Sequence, residues 1–152
     1  QPQYGHIFDH FACEYEYPNG ARVASYCRQI DGTTANVSER IVGTTGISDP
    51  NSNIKDHKGK NLYRWEGNYT DPYVQEHIDL IASIRSGNLL NEAKRVAEST
   101  MTAIMGRMAA YTGREVSWEK ALNSEEVLMP ANLGFGPMPV PPVAVPGQTP
   151  LR

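Results

Sequence analysis

The feature that most constrains the fold is a long run of alternating residues, His6 to Ile30, broken once by the sequence Tyr17-Pro18-Asn19-Gly20. Alternation of this kind on both sides of a short turn is typical of a β-hairpin. Proline fits the second position of a type I turn, and Gly20 suits the left-handed conformation that follows it in a three-residue loop. The sequence therefore predicts one long hairpin over residues 6–30.

The side chains decide how the two strands pair. A three-residue loop places Tyr17 opposite Ala21 and Glu16 opposite Arg22, so that the charged residues share one face. A two-residue Asn-Gly turn would shift the pairing by one residue and place Arg22 and Arg28 among the aromatic side chains. A one-residue slip moves a whole set of side chains to the wrong face, so we predict the first pairing.

The cysteines and histidines of this hairpin predict neither a disulfide nor a metal site. Cys13 and Cys27 are the only two cysteines, and the predicted pairing places them diagonally on one face, so we expect buried, unpaired thiols. His6, Asp9 and His10 resemble a ligand cluster. However, residues four apart on a strand lie about 13 Å apart, which is too far for both histidines to bind one cation.

Shorter extended segments follow the hairpin. Residues 37–42 alternate and end at the turn 43–46, residues 49–53 form a second loop, and residues 61–66 are typical of a strand. Together with the hairpin, these segments predict a single, mostly antiparallel sheet within residues 1–67.

Helices are predicted in residues 72–124. Asp71-Pro72 is a strong helix start, with an aspartate cap and a proline in the first turn, and Gly87 is a natural stop. A second helix is predicted from Asn91 to Gly113, with Met101, Met105 and Met108 on its core-facing side, and a short third helix follows a Ser117 cap. Strands followed by helices predict an α+β fold, a large open sheet with two main helices on one face.

Prolines dominate residues 129–152, and they favour an extended tail lying on a surface or on a partner. The whole of residues 1–152 is therefore predicted to be one domain with three parts, a sheet (1–67), a helical part (72–124) and this tail (129–152).

Composition and missing motifs exclude several functions. A net charge of −3 gives no electrostatic reason to expect nucleic acid or an anionic membrane as a partner, and no apolar run reaches the length of a membrane helix. The sequence contains no glycine-rich dinucleotide fingerprint, no phosphate-binding loop and no H-E-x-x-H zinc motif. Residues 1–5 do not resemble an export signal, so the compartment, cytoplasmic or exported, stays open.

Two groups of residues are candidates for binding a substrate. Tyr73 and His77 lie one turn apart near the start of the first helix, where a histidine can exchange a proton or bind a sugar hydroxyl. The alternative for His77 is a structural contact with the sheet and a backbone carbonyl. Arg28, Gln29 and Asp31 end the second hairpin strand, a common place for ligand contacts, although Arg28 also fits a cross-strand contact with His10.

Five stretches of the sequence, in their order and spacing, resemble the C-terminal part of Gfo/Idh/MocA oxidoreductases from Gly5 to about Pro150. They are IFDHFACEYEYPNG from Ile7, CRQIDG from Cys27, VGTTG from Val42, PYVQEHIDLIASIRSG from Pro72 and NEAKRVAESTMTAIMGRMAAYTG from Asn91.

This resemblance implies one half of a two-domain sugar or polyol dehydrogenase. An N-terminal Rossmann domain, absent from this chain, would bind NAD or NADP, and this chain would complete the substrate site while being inactive alone. Tyr73 corresponds to a tyrosine of the family at the start of the helix after the sheet, so it is expected to reach the sugar with His77. No catalytic, cofactor or metal residue is assigned in this chain.

The resemblance also implies an assembly surface. Helices cover one face of such a sheet, and the other face, with Phe8, Tyr26 and Ile30, is expected to pack against a second copy of the chain. Two alternatives stay open. One is an NAD-dependent glycosidase of the same superfamily, and the other is a non-catalytic module that binds another protein.

Overall fold

The computed structural model describes residues 5–50 and 53–152, in which strands come first and helices follow. The elements are β1 (His10–Glu16), β2 (Arg22–Arg28), β3 (Ile41–Val42), β4 (Ile47–Asp49), β5 (Asn53–Lys55), β6 (Asn61–Arg64), α1 (Pro72–Ser86), α2 (Ala93–Thr112) and α3 (Trp118–Leu122). The predicted α+β class is confirmed.

The strands form two antiparallel sheets rather than the single large sheet predicted. β1 pairs with β2, and β3 to β6 form a four-stranded meander in sequence order. The chain correspondingly divides into two compact units, a first unit of Gln1–Asp31 with Asn91–Arg152 and a second unit of Gly32–Leu90. The patterns that identify each hairpin are local, and they do not specify whether neighbouring hairpins share a sheet.

The hairpin has the predicted register. Glu16 lies opposite Arg22, and Tyr17 N donates to Ala21 O at 2.9 Å across a three-residue loop. Gly20 adopts the expected left-handed conformation, with φ of 82°. On the outer face, the Arg22 guanidinium contacts Glu14 at 3.1 Å and Glu16 at 3.4 Å, in exposed pairs that contribute little stability.

Helix α2 packs against the other face of β1. Phe11, Cys13 and Tyr15 alternate with exposed neighbours and are half-buried there. A glycine on the helix allows this close approach, because a Cβ at Gly106 would overlap the Tyr15 hydroxyl. The Cys13 thiol donates to Gly106 O at 3.2 Å.

The core of the first unit is small and is centred on α2. Met108, Val116 and Ala121 are buried, and Met101 and Met105 pack partly against them, as predicted for the methionine side of this helix. Leu151, near the end of the proline-rich segment, joins this cluster. The described residues 129–152 contain no helix or strand.

The predicted helix boundaries agree closely with the structure. The Asp71 carboxylate accepts from Tyr73 N at 2.8 Å at the start of α1, and Gly87 ends that helix with φ of 72°. Helix α2 begins at Ala93, two residues after the predicted start, and ends at Gly113. Ser117 caps α3 as predicted.

Two details differ from the predictions. Both cysteines are unpaired, as predicted, but Cys13 is only half-buried and Cys27 is exposed, because α2 covers β1 and leaves β2 open. Helix α2 lies on its sheet as expected. By contrast, α1 packs against none of the described strands of its own unit, and every residue of α1 except Ser83 is exposed.

Candidate functional site

Tyr73 and His77 lie together on the first turns of α1. The His77 ring donates from Nδ1 to the Tyr73 carbonyl oxygen at 2.6 Å. A carbonyl oxygen can only accept, so the neutral ring carries its proton on Nδ1 and leaves Nε2 as a hydrogen-bond acceptor. The structure thus fixes the tautomer of an exposed imidazole next to an exposed phenol.

A purely structural role for His77 would require a bond to a backbone carbonyl and packing against the sheet, and the first is present but the second is not. The ring does bond a backbone carbonyl, as that reading expects. It does not pack against a described strand of its unit, and its side chain is 71% exposed. His77 is therefore oriented by the helix and accessible to a ligand.

A shallow open pocket adjoins this histidine. Glu76, His77 and Leu80 line it, and the Glu76 carboxylate lies 3.6 Å from His77 Nδ1. A carboxylate and an imidazole Nε2 both accept hydrogen bonds, and Leu80 adds an apolar wall. This combination suits a ligand that carries hydroxyl groups on an apolar ring or chain.

Arg28, Gln29 and Asp31 lie at the open end of the hairpin, in the first unit. Arg28 is opposite His10 in the strand pairing, as its structural alternative requires, and Gln29 N donates to Asp9 O at 2.7 Å. Asp31 is exposed in the turn that follows. The candidate residues thus form two groups, Arg28 to Asp31 in the first unit and Tyr73 with His77 in the second.

Sequence reasoning missed a polar pair beside the first group. Asp9 Oδ1 lies 2.7 Å from His10 Nδ1, and this hydrogen bond lowers the pKa of the Asp9 carboxyl. From the sequence alone, Asp9 is a candidate only as a metal ligand, and His10 as a metal ligand or a cross-strand contact of Arg28. The predicted register, which sets them next to Arg28 and Gln29, was the signal that could have identified them.

The two other perturbed groups are structural. Burial under α2 raises the pKa of the Cys13 thiol and of the Tyr15 phenol. No three His, Cys, Asp or Glu side chains within the described part of the chain are arranged to hold a metal ion.

Large apolar side chains are exposed in both units. They include Tyr26 on the hairpin and Val74, Ile78 and Ile81 on α1.

Comparisons of the chain with models of protein families, with curated proteins and with solved structures gave no match. Within the described residues, none of the helices has the length and apolar character needed to cross a membrane. The resemblance to Gfo/Idh/MocA oxidoreductases therefore stays a prediction.

Proposed function

We propose that this chain is the C-terminal, substrate-side domain of an NAD(P)-dependent sugar or polyol dehydrogenase, and that it is inactive alone. One observation carries the proposal: an ordered tyrosine and histidine lie within an apolar helix face that no described strand of the same unit covers. The resemblance of the sequence supports the same conclusion independently.

The geometry of α1 explains why this face matters. At 100° per residue, Tyr73, His77, Ile81 and Ile84 lie within an arc of about 80°. All four side chains are exposed. Two polar groups inside an apolar stripe are typical of a ligand site at a domain interface, where the second domain excludes water.

Each residue has a definite part in this proposal. Nε2 of His77 accepts a hydrogen bond from a sugar hydroxyl, while the Tyr73 phenol donates to or accepts from a neighbouring hydroxyl. The apolar residues beside them contact the carbon skeleton. Arg28, Gln29 and Asp31 are further candidates for substrate contact through their place at the end of β2.

The cofactor, NAD or NADP, would be held by the other domain. The sequence has no G-x-G-x-x-G fingerprint, so it offers no dinucleotide site of the usual kind. Nicotinamide supplies hydride transfer in such enzymes, and we assign no part of that step to this chain.

Assembly is the second part of the proposal. Tyr26 and Ile30 are exposed on the hairpin, at 78% and 41%, and they remain candidates for contact with a second copy. Phe8 does not belong with them. Its ring lies 4.3 Å from that of Tyr111, and its backbone N donates to the Tyr111 hydroxyl.

The decisive assay uses the full-length protein that contains this sequence, with NAD or NADP and a panel of sugars, polyols and glycosides. We expect reduction of the cofactor by a free sugar or polyol. Replacing Tyr73→Phe or His77→Asn should raise KM about 10-fold, the effect of one lost hydrogen bond in a site. His57→Asn, on an exposed histidine that bonds Thr44 O, is the matched control.

Other outcomes of this assay are informative. Turnover of glycosides without net cofactor reduction would replace the dehydrogenase by the glycosidase alternative. Equal KM values for the His77 and His57 variants would remove His77 from the site. Micromolar binding of NAD to the isolated chain in calorimetry would contradict its assignment as the half without the cofactor.

The exposed apolar surface also favours a second function, a non-catalytic module that binds another protein. Val74, Ile78 and Ile81 of α1 are exposed, and an interaction module explains this as well as an interface with a second domain does. A natural gene that encoded only these residues would favour this alternative.

A further inference from the structure

The hydrogen-bonding pattern of the hairpin shows which backbone groups of β2 face outward. Tyr17 N donates to Ala21 O at one end of the hairpin, and Gln29 N donates to Asp9 O at the other. Hydrogen-bonded pairs alternate along an antiparallel ladder, so the odd-numbered residues of β2 bond β1. The N–H and C=O groups of Arg22, Ala24 and Tyr26 therefore point away from β1.

Within the first unit, none of the described elements covers this edge. Among the described strands, β1 is the only one that pairs with β2, and α2 packs on β1. All seven residues of β2 are exposed. Proteins protect sheet edges with prolines, bulges and charged side chains. This strand has no proline or bulge, and its charged residues, Arg22 and Arg28, stand at its two ends, so Val23 to Cys27 carry no charge.

We propose that β2 pairs antiparallel, along this outer edge, with β2 of a second copy of the chain. The two hairpins then form one four-stranded sheet around a twofold axis that passes between the two copies of Ala24. In this register Arg22 of each copy lies opposite Tyr26 of the other. This inference does not depend on the proposed enzymatic function.

The side chains favour this register. Tyr26 is 78% exposed, and a guanidinium opposite it covers the ring with a cation–π contact on both sides of the axis. The Arg22 charge is already balanced by Glu14 and Glu16, so two copies of the hairpin can approach without strong repulsion. The faces also match. Residues directly opposite each other point to the same side of a sheet, so this register places α2 of both copies on one side of the four-stranded sheet.

Neighbouring registers fit less well. An axis at Ser25 places Arg22 opposite Arg28 of the second copy, and like charges directly opposite are unfavourable. An axis at Tyr26 places the two copies of Tyr26 opposite each other, so the pairing of Tyr26 with Arg22 is lost. A shift of the pairing by one residue would place side chains from the face packed on α2 opposite side chains from the polar face.

Proline substitution tests the edge. Ala24→Pro removes an outward N–H without breaking the hairpin ladder, and proline is tolerated at such positions. Ala12→Pro makes the same change on the outer edge of β1 and is the matched control. In sedimentation equilibrium we expect the wild type and Ala12→Pro to dimerise, and Ala24→Pro to raise the dimer Kd at least about 10-fold.

Two results would overturn the proposal. One is a wild-type chain that stays monomeric at high micromolar concentration, and the other is equal weakening by both proline variants. Circular dichroism of each variant monitors folding. A monomeric wild type would also remove the assembly part of the proposed function, whereas the dehydrogenase assay tests the enzymatic part separately.

Disulfide trapping tests the register without relying on the proline variants. In a background with Cys13→Ser and Cys27→Ser, Ala24→Cys places two thiols opposite each other across the axis, at a spacing that a disulfide spans. Ser25→Cys is the matched control, since Ser25 faces Val23 of the second copy. We expect a covalent dimer from Ala24→Cys under mild oxidation. No dimer, or a higher yield from Ser25→Cys, would contradict the register.

Discussion

The hairpin and helix α1 are both amphipathic, but only the hairpin is packed in the structure. Phe11, Cys13 and Tyr15 of β1 lie under α2, whereas Ile78 and Ile81 of α1 remain about half exposed. The two elements are equally well specified by local sequence. They differ in packing. Gly106 of α2 lets the hairpin approach that helix closely, whereas no described element of the second unit packs against α1.

This comparison separates the formation of an element from its burial. Caps, turns and periodicity determine where a strand or helix begins and ends, and both elements have them. Stability comes mainly from the apolar surface that a neighbour covers. The exposed face of α1, which carries Tyr73 and His77, therefore belongs to an element that is formed but not buried.

The largest expected difference between the two regions is the effect of removing an apolar side chain. Met108→Ala empties a buried site next to Val116 and Ala121, and should lower the free energy of unfolding by about 2–5 kcal/mol. Ile78→Ala removes a side chain that is 50% exposed, and should change the free energy of unfolding by less than about 0.5 kcal/mol. Urea denaturation of the chain measures both.

A large loss on Ile78→Ala would break the comparison, because it would mean that α1 is packed in solution. The same variant has a second use in the dimer or in the full-length protein. If a partner covers α1 there, Ile78→Ala becomes costly only in that assembly.

Gly106→Ala tests the contact that distinguishes the packed region. The new Cβ would overlap the Tyr15 hydroxyl and lie 2.9 Å from its Cζ. Overpacking costs about 1–3 kcal/mol, and alanine regains about 1 kcal/mol of helix propensity, so we expect a net loss of about 1 kcal/mol.

Tyr15→Phe supplies the control for this substitution, because it removes the overlapping hydroxyl. In that background, Gly106→Ala should cost less in thermal or urea unfolding, because only the approach of 2.9 Å to Cζ remains. An equal loss in both backgrounds would show that the hydroxyl of Tyr15 does not limit the approach of α2 to β1.

Removal of the side-chain acceptor at each helix start compares the two helices directly. Asp71→Ala deletes the capping carboxylate that accepts from Tyr73 N. Asn91→Ala deletes the amide oxygen that accepts from Ala93 N, one residue before the cap position Glu92. An N-cap is worth about 1 kcal/mol. Because α1 has little packing to support it, Asp71→Ala should reduce amide exchange protection in α1 markedly, whereas α2 should change little after Asn91→Ala. Similar losses in the two helices would contradict the view that α1 depends on local interactions.

The sequence predicted the hairpin well because its determinants are local. Pro18 and Gly20 specify the loop, and the side chains of Glu16 and Arg22 fix the register, so the turn and the pairing could be derived together. The separation into two sheets and the uncovered face of α1 could not be derived. Both depend on which surfaces meet across long stretches of chain, and periodicity carries no information about that.

The candidate site shows the same limit. Helical spacing was enough to place Tyr73 and His77 on one face, and the tautomer of His77 follows only from the observed bond to the Tyr73 carbonyl. The Asp9–His10 pair was missed for a physical reason. Adjacent residues of a strand point to opposite faces, but Asp9 precedes β1 and is not bound by that rule.

The smallest expected effect on stability in the packed region comes from the Asp9–His10 pair, because it is an exposed contact at the edge of that unit. The hydrogen bond from His10 holds the pKa of the Asp9 carboxyl below its ordinary value. A carboxyl with a lowered pKa stabilises the folded state above its unfolded pKa, and this contribution disappears as the pH falls through the folded pKa. In Asp9→Asn, the free energy of unfolding should therefore fall slightly less steeply than in the wild type as the pH becomes acidic. At neutral and basic pH, its dependence on pH should match that of the wild type. Carboxyl titration by NMR measures the shift directly. An Asp9 pKa at or above its ordinary value would show that the pair does not form in solution.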